Sequence, residues 1–307
     1  MDRMLCIVGP TATGKTRLSV ALAHALNGEI VSFDSMQVYR GMTVGTAAPT
    51  PEEMEGVPHH LIGIIDPRES FSVSRYVALA DPIVQDILRR GRTAILVGGT
   101  GLYIDSLVAG RSFAPSPDDG RRTALERQAD ALGMEAMLER LRAVDPETAA
   151  TLHPANRKRV LRALEVYEQT GEPISVHNRR TQALAPRYAP VWLGLDYQDR
   201  ALLWQRIALR ADRMLQNGLR EELEALLALG LPPDSTALQA IGYKELLDDP
   251  ATAREKIVLR SRQYAKRQRT WFRRNPAVRW LYADGRDFDE IFSDARQRIP
   301  FFDTAER

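Results

Sequence analysis

Gly9-Pro10-Thr11-Ala12-Thr13-Gly14-Lys15-Thr16 sets two glycines, a lysine and a threonine at the spacing G-x-x-x-x-G-K-[ST]. Backbone N–H groups in such a loop curl around phosphate oxygens, and the N-terminus of the following helix adds partial positive charge. Lys15 can reach a terminal phosphate, and the Thr16 hydroxyl can ligate Mg²⁺. The spacing points to a bound di- or triphosphate group without saying which molecule carries it. A glycine-rich turn with no ligand is the plainer alternative.

A nucleotide-hydrolysing P-loop protein usually ends a later strand in an Asp that helps hold the metal. Here Ala94-Ile95-Leu96-Val97 runs into Gly98-Gly99-Thr100, so a hydroxyl stands where a carboxylate would. The acid is elsewhere: Asp34 terminates the strand-like run Ile30-Val31-Ser32-Phe33. The carboxyl ends of parallel strands open onto the ligand crevice, which brings Asp34 near the phosphate loop as a candidate general base. A turn or cap role is the alternative for it. Ser35, Gln37 and Tyr39 follow on the same loop and suit the reading of a second substrate.

Between Arg254 and Arg274 stand nine basic residues, opposed by Glu255 alone. Arg262, Lys266, Arg269 and Arg273 fall on one helical face, with Tyr264, Gln268 and Trp271 beside them. A basic stripe with aromatics is the footprint of a nucleic-acid binder, a solvated helix face being the bland reading. Arg157-Lys158-Arg159 with Arg162, and Arg179-Arg180, form further basic groups, and together these surfaces suggest a clamp around RNA or DNA.

The elements that must position these groups alternate along the first half. Strand-like runs at Met4 to Val8, Glu29 to Phe33 and Thr93 to Val97 are separated by helical periodicity at Leu18 to Leu26 and Ser72 to Leu88, with a loop expected over residues 40 to 60. Alternation of this kind argues an α/β fold: a P-loop NTPase-like parallel sheet with helices on both faces. Near residue 111 the pattern changes. Ala114-Pro115-Ser116-Pro117-Asp118-Asp119 reads as a linker, and residues 113–185 read as a mainly helical insertion. The core is then 1–112 with 186–307, resuming at the strand Val191 to Leu195, continuing through helices from 199 to about 274, and closing on a strand at Val278 to Tyr282.

The 307 residues, 44% hydrophobic and 27% charged, suit a globular chain with enough apolar surface to offset chain entropy. No apolar run approaches the roughly 20 residues that cross a bilayer, and no signal peptide precedes the first strand, so no membrane association is expected. Cys6 is the only cysteine, which fits a reducing cytoplasm. The net charge of +2 says little about partners.

These motifs together resemble the bacterial tRNA dimethylallyltransferases. The resemblance is carried by Gly9 to Thr16, Asp34-Ser35-Met36-Gln37-Val38-Tyr39, Pro58-His59-His60-Leu61 and Gly98-Gly99-Thr100-Gly101-Leu102-Tyr103. It continues through Arg162-Ala163-Leu164-Glu165-Val166-Tyr167, Ile241-Gly242-Tyr243-Lys244-Glu245 and Lys266-Arg267-Gln268-Arg269-Thr270-Trp271-Phe272, nearly the whole chain. It implies transfer of a dimethylallyl group from dimethylallyl diphosphate to N6 of adenosine 37 of tRNA, with Mg²⁺ as cofactor; a monomer is expected. It implies that the P-loop, commonly described as ATP-binding, cradles the diphosphate, that Asp34 is the base and Thr100 a phosphate contact, and that Arg210 is a diphosphate-side arginine. Asp34, Ser35, Met36, Gln37, Thr100 and Arg122 match its tRNA contacts. So do Lys158, Arg159, Val160, Leu161 and Arg162, then Gln239, Ala240, Ile241, Gly242, Tyr243 and Lys244, then Lys266, Arg267, Gln268, Arg269, Thr270, Trp271, Phe272 and Arg273. The family often has Gln-Arg where this chain has Lys158-Arg159. An adenine in a stacked loop must be pulled out to react, and Gln37 and Tyr39 are expected to hold it by amide contact and stacking. The insertion is expected to close over the RNA loop and exclude water.

A small-molecule or nucleoside kinase would share the P-loop and use Asp34 on a hydroxyl, yet gives no reason for the basic helix. A nucleotide-gated RNA-binding module is the non-catalytic alternative. His59-His60 are adjacent on a strand and point to opposite faces, which argues against joint metal ligation. Cys6, Trp192, Trp204 and Trp280 read as packing, and Glu221-Glu222 and Asp248-Asp249 as solvated surface.

Overall fold

The computed structural model describes residues 3–114, 120–183, 185–232 and 235–302. Met1, Asp2 and the Pro115 to Asp119 part of the expected linker lie outside the described residues. Six strands, β1 (Met4–Val8), β2 (Gly28–Ser32), β3 (His59–His60), β4 (Thr93–Val97), β5 (Val191–Asp196) and β6 (Val278–Tyr282), form one sheet. Their order is β3-β2-β4-β1-β5-β6, and every neighbouring pair is parallel.

All five residues of β1 and all five of β2 are buried. Successive side chains on a strand point to opposite faces, so burial without alternation means that both faces of the sheet are covered. Cys6 sits at the centre, level with Leu96 on β4 and Trp192 on β5. From β1 the chain runs outward to β2 and β3 on one flank, returns to β4 between β2 and β1, then crosses to β5 and β6 on the other. That reversal beside β1 is where a doubly wound sheet opens a ligand crevice at its carboxyl edge. Phe33, expected to end β2, instead follows it, and its N–H still donates to the Val97 carbonyl at 2.9 Å. The region 40 to 60, expected as loop, contains the short helix Pro51–Met54, closed by a Thr50–Glu53 capping box, and the edge strand β3.

The chain divides into two compact units, Met1–Val108 with Tyr188–Arg307, and Ala109–Arg187. The second unit has its own apolar centre of Leu125, Leu141, Val160, Leu161 and Leu164, contributed by the helices Arg121–Leu132, Met134–Val144 and Arg157–Thr170. The buried Asp145 carboxylate holds it together by accepting the N–H groups of Thr148 and Ser175, each at 3.0 Å.

Candidate active site

The phosphate loop leaves β1 at Val8 and enters the helix Lys15–Ala25. Gly9 has φ +137°, and a Cβ there would lie 2.2 Å from the Leu195 carbonyl oxygen, so the loop can turn against β5 only with glycine. Thr13 Oγ1 and Lys15 Nζ both donate to the Pro10 carbonyl, at 3.0 and 2.6 Å. The first helical turn carries no acidic side chain, so nothing on it opposes an anion at its N-terminus.

Asp34 follows β2 at the same edge. Its Oδ1 accepts the N–H groups of Met36 (2.8 Å) and Gln37 (3.3 Å). The turn role is therefore real, and it occupies one oxygen. Thr100 lies beside it: Thr100 Oγ1 accepts the Ser35 N–H at 3.2 Å and donates to Ser35 Oγ at 3.4 Å. The two strand ends are thus tied through Ser35.

A cavity of about 840 Å³ opens over these loops. Thr11 to Thr16, Asp34 to Gln37 and Thr43 to Thr50 line it, with Gly98, Gly99, Gln239, Ala240, Ile241, Tyr264, Arg267 and Gln268. Across from the phosphate loop, the helix Arg200–Gln216 adds Arg206, Arg210 and Arg213. The spacing i, i+4, i+7 puts all three on one face. The family resemblance marks Arg210 alone; helical periodicity is the sequence signal for Arg206 and Arg213. Arg206 Nε donates to the Ala12 carbonyl at 2.9 Å, and Arg210 Nη2 to the Thr46 carbonyl at 3.1 Å. Burial, and then the nearby Arg210 charge, push the Lys15 ammonium down to about 7, while Asp34 and Asp196 pull the other way. Burial also lowers Arg210, again against the pull of Asp34. Lysine, arginine and aspartate therefore share one field.

The basic helix Ala253–Phe272 does not act as a single stripe. Arg269, expected to meet RNA, is buried, and its Nε donates to the Asp196 carboxylate at the end of β5 at 2.8 Å. Gln268 is buried too: its Oε1 accepts the Thr11 N–H at 2.9 Å and its Nε2 donates to the Gly99 carbonyl at 3.1 Å. It joins the phosphate loop to the Gly98-Gly99 loop. Phe272 is core. Lys266, Arg267, Thr270, Trp271 and Arg273 remain exposed, and Trp271 Nε1 donates to Asp105 at 2.8 Å.

Other expected contacts divide in the same way. Val160 and Leu161 have no exposed surface, because they fill the core of the second unit, whereas Lys158 and Arg159 are exposed. Arg162 is ion-paired with Glu165 at 2.7 Å and Arg122 with Glu126 at 2.8 Å. Gly242 and Tyr243 are buried, Ala240 is a buried wall residue of the cavity, Ile241 is half-buried, and Gln239 and Lys244 are exposed. Tyr39, expected to stack on a base, is 1% exposed and belongs to the core. Gln37 spends its amide within the protein, accepting from Ser32 Oγ (3.1 Å) and donating to the Ala47 carbonyl (3.2 Å). Glu222 is not solvated surface; five donors surround its carboxylate. His59 lines the cavity, whereas His60 Nε2 meets Glu29 at 2.8 Å. Among the described residues no group of three His, Cys, Asp or Glu side chains could hold a metal, and no helix is long and apolar enough to cross a membrane.

Residues 37–275 match the family model described as IPP transferase, and residues 2–65 match one described as isopentenyl transferase. The tRNA dimethylallyltransferase of Geobacillus thermodenitrificans is 48% identical over 287 residues, covering 91% of this chain and 90% of the relative. The crystal structure of the full-length tRNA isopentenylpyrophosphate transferase of Bacillus halodurans is 41% identical, with TM-score 0.72, covering 100% of this chain and 99% of that one. A eukaryotic dimethylallyltransferase crystallised while acting on tRNA is 30% identical, with TM-score 0.84, covering 97% of this chain and 77% of that one.

Proposed function

The chain belongs to the IPP transferase family, and from that premise we propose how its own residues carry out tRNA dimethylallyl transfer. It is an enzyme, a tRNA dimethylallyltransferase. The donor is dimethylallyl diphosphate and the acceptor is N6 of adenosine 37, beside the anticodon. One observation carries this reading: Lys15 and the phosphate loop line the same cavity as Asp34. An anionic leaving group and a nucleophile that must lose a proton are therefore served in one space.

The C1–O bond of the donor breaks, and its electron pair leaves with the diphosphate. Amides of the phosphate loop, Lys15 and Arg210 stabilise the growing negative charge, and Thr100 supports it from the neighbouring strand end. Each such donor is typically worth about 2.7–4 kcal/mol in a transition state. The allylic carbon becomes cationic, so the weakly nucleophilic adenine amine suffices. Its lone pair forms the new C–N bond, and its proton passes to Asp34, whose Oδ1 is steadied by Met36 and Gln37. The adenine must leave the anticodon stack to reach this cavity. Exposed Lys158, Arg159, Lys266, Arg267 and Arg273 supply phosphate-backbone contacts. The second unit is assigned the closing movement over the RNA.

Thr16 and Asp34 both line the cavity. The Thr16 hydroxyl suits Mg²⁺, which takes its remaining oxygens from diphosphate and water rather than from a protein cage, and Asp34 stays available as the base. When bound it neutralises diphosphate charge. The reaction is assigned to a monomer in the cytoplasm, where its tRNA acceptor is used.

The test is incubation with unmodified tRNA and dimethylallyl diphosphate, followed by mass analysis of the nucleosides. N6-(dimethylallyl)adenosine is expected. Unmodified nucleosides, or phosphate transfer from ATP to a hydroxyl acceptor in a parallel assay, would overturn the reading.

A further inference from the structure

Glu222 sits on the helix Leu219–Ala228, and its carboxylate reaches across to a loop far away in sequence. Oε2 accepts the N–H of Thr43 (2.6 Å), the N–H of Val44 (2.8 Å) and the Thr43 hydroxyl (2.9 Å). Oε1 accepts the N–H of Gly45 (2.8 Å) and the Tyr243 hydroxyl (2.6 Å). Three successive amides converging on one point make an anion nest, and here the protein fills it with its own carboxylate. Hydrogen bonds to an ionised acceptor are roughly twice as strong as neutral ones. The fit is close on the other side as well: a Cβ on Gly45 would lie 2.5 Å from the Tyr243 ring.

The far end of the same loop is gripped by the site itself. Gln37 Nε2 donates to the Ala47 carbonyl and Arg210 Nη2 to the Thr46 carbonyl. The residues between Thr43 and Thr50 form the cavity wall next to Asp34 and Gln37, where an acceptor base must come if Asp34 is to take its proton. We propose that Glu222 is a positioning residue for the acceptor, fixing the 43–50 loop as the wall against which the extruded adenine and its neighbours dock. This rests on the prenyl-transfer reading above. It also gives Tyr243 a role different from RNA contact: its phenol completes the Glu222 anchor.

The experiment compares wild type with Glu222→Gln and Glu222→Ala. The readouts are equilibrium binding of an unmodified anticodon stem-loop, KM for each substrate, and amide hydrogen exchange at Thr43 to Gly45. Alanine leaves the three amides without their acceptor and frees the loop. The stem-loop Kd and the RNA KM should rise about tenfold, the scale of re-ordering a few interface groups on binding. The KM for dimethylallyl diphosphate should stay within about twofold, since the phosphate loop keeps its own bonds. Glutamine retains one acceptor oxygen and should fall between wild type and alanine, with exchange at the three amides faster in the same order. Equal rises in both KM values would overturn the proposal. So would lowered thermal stability with unchanged RNA binding, which marks a merely structural anchor. Wild-type protein that binds the stem-loop without prenylating it overturns the reaction, and the Kd series still decides the role of Glu222. Wild-type protein that fails to bind the stem-loop overturns both.

Discussion

Arg269 points inward from the basic helix, its Nε 2.8 Å from Oδ2 of Asp196, with the aspartate fully buried. Burial pushes the Asp196 carboxyl up, while the Tyr197 N–H and the Arg269 charge pull it down. The pair locks the helix to the end of β5, one turn from where exposed Arg273 reaches toward the same carboxylate at 3.7 Å.

Two arginines four residues apart should therefore fail differently. Arg269→Ala leaves a buried carboxylate without its main partner and should cost about 3–5 kcal/mol in denaturant unfolding. Arg273→Ala should leave stability nearly intact and lower the dependence of log Kd for tRNA on log salt by about one phosphate contact. A stability loss confined to Arg273→Ala would contradict this division of labour.

Asp34→Asn is the sharper test of the base than Asp34→Ala. The amide oxygen can still accept from Met36 and Gln37, as Oδ1 does, so the turn survives and only the basicity is lost. Single-turnover prenylation should fall by about 10²-fold or more with tRNA affinity held. A drop of only a few-fold would remove Asp34 from the proton transfer.

Glu29 predicts an acid limb to stability. It is buried among Arg90 (2.9 Å from Nη2 to Oε2), Arg92 and His60, and the Arg90 hydrogen bonds hold its carboxyl well below the usual range. A depressed folded pKa means that the unfolded state binds the proton first. The contribution is complete above the unfolded value of about 4.3 and is lost progressively as pH falls below it. Glu29→Gln should flatten that limb in urea titrations between about pH 5 and pH 3. At neutral pH it should cost roughly 1–3 kcal/mol, between the values for exposed and buried pairs, because both arginines are partly exposed. An acid limb unchanged in the variant would assign it to other carboxylates.

The sequence exposed the sheet and the phosphate loop because both are written locally. Short apolar runs bounded by glycine and a fixed eight-residue spacing need no knowledge of what lies across the fold. Thr93–Val97 and Val278–Tyr282 are strands as read. What escaped was direction on the long helix. Arg269 and Arg273 lie one turn apart, and charge alone cannot tell which meets a buried Asp196 some seventy residues away. Gln268 and Glu222 escaped for the same reason: their partners Thr11, Gly99 and Thr43 to Gly45 come close only once β1, β4 and the helices have assembled. Arg206 and Arg213 were within reach of periodicity, since their spacing from Arg210 is helical.

Lys15 makes the phosphate grip depend on pH. Its ammonium is pushed down to about 7, first by desolvation and then by Arg210, with Asp34 and Asp196 opposing. Below that value the lysine meets the diphosphate already charged. Above it, part of the free protein carries a neutral amine that must gain a proton as the anion binds, because the anion stabilises the ammonium. Binding then takes up protons, and the Kd for dimethylallyl diphosphate should rise with pH above about 7, approaching tenfold per unit for one linked proton. Titration calorimetry at about pH 8 in two buffers of different ionisation enthalpy should show uptake near one proton. Lys15→Met should bind more weakly at every pH and lose the uptake, since no titrating amine remains. Wild-type affinity that is flat from pH 7 to about pH 9 would mean that the lysine stays fully charged without ligand, and that its desolvation is already balanced by the two aspartates.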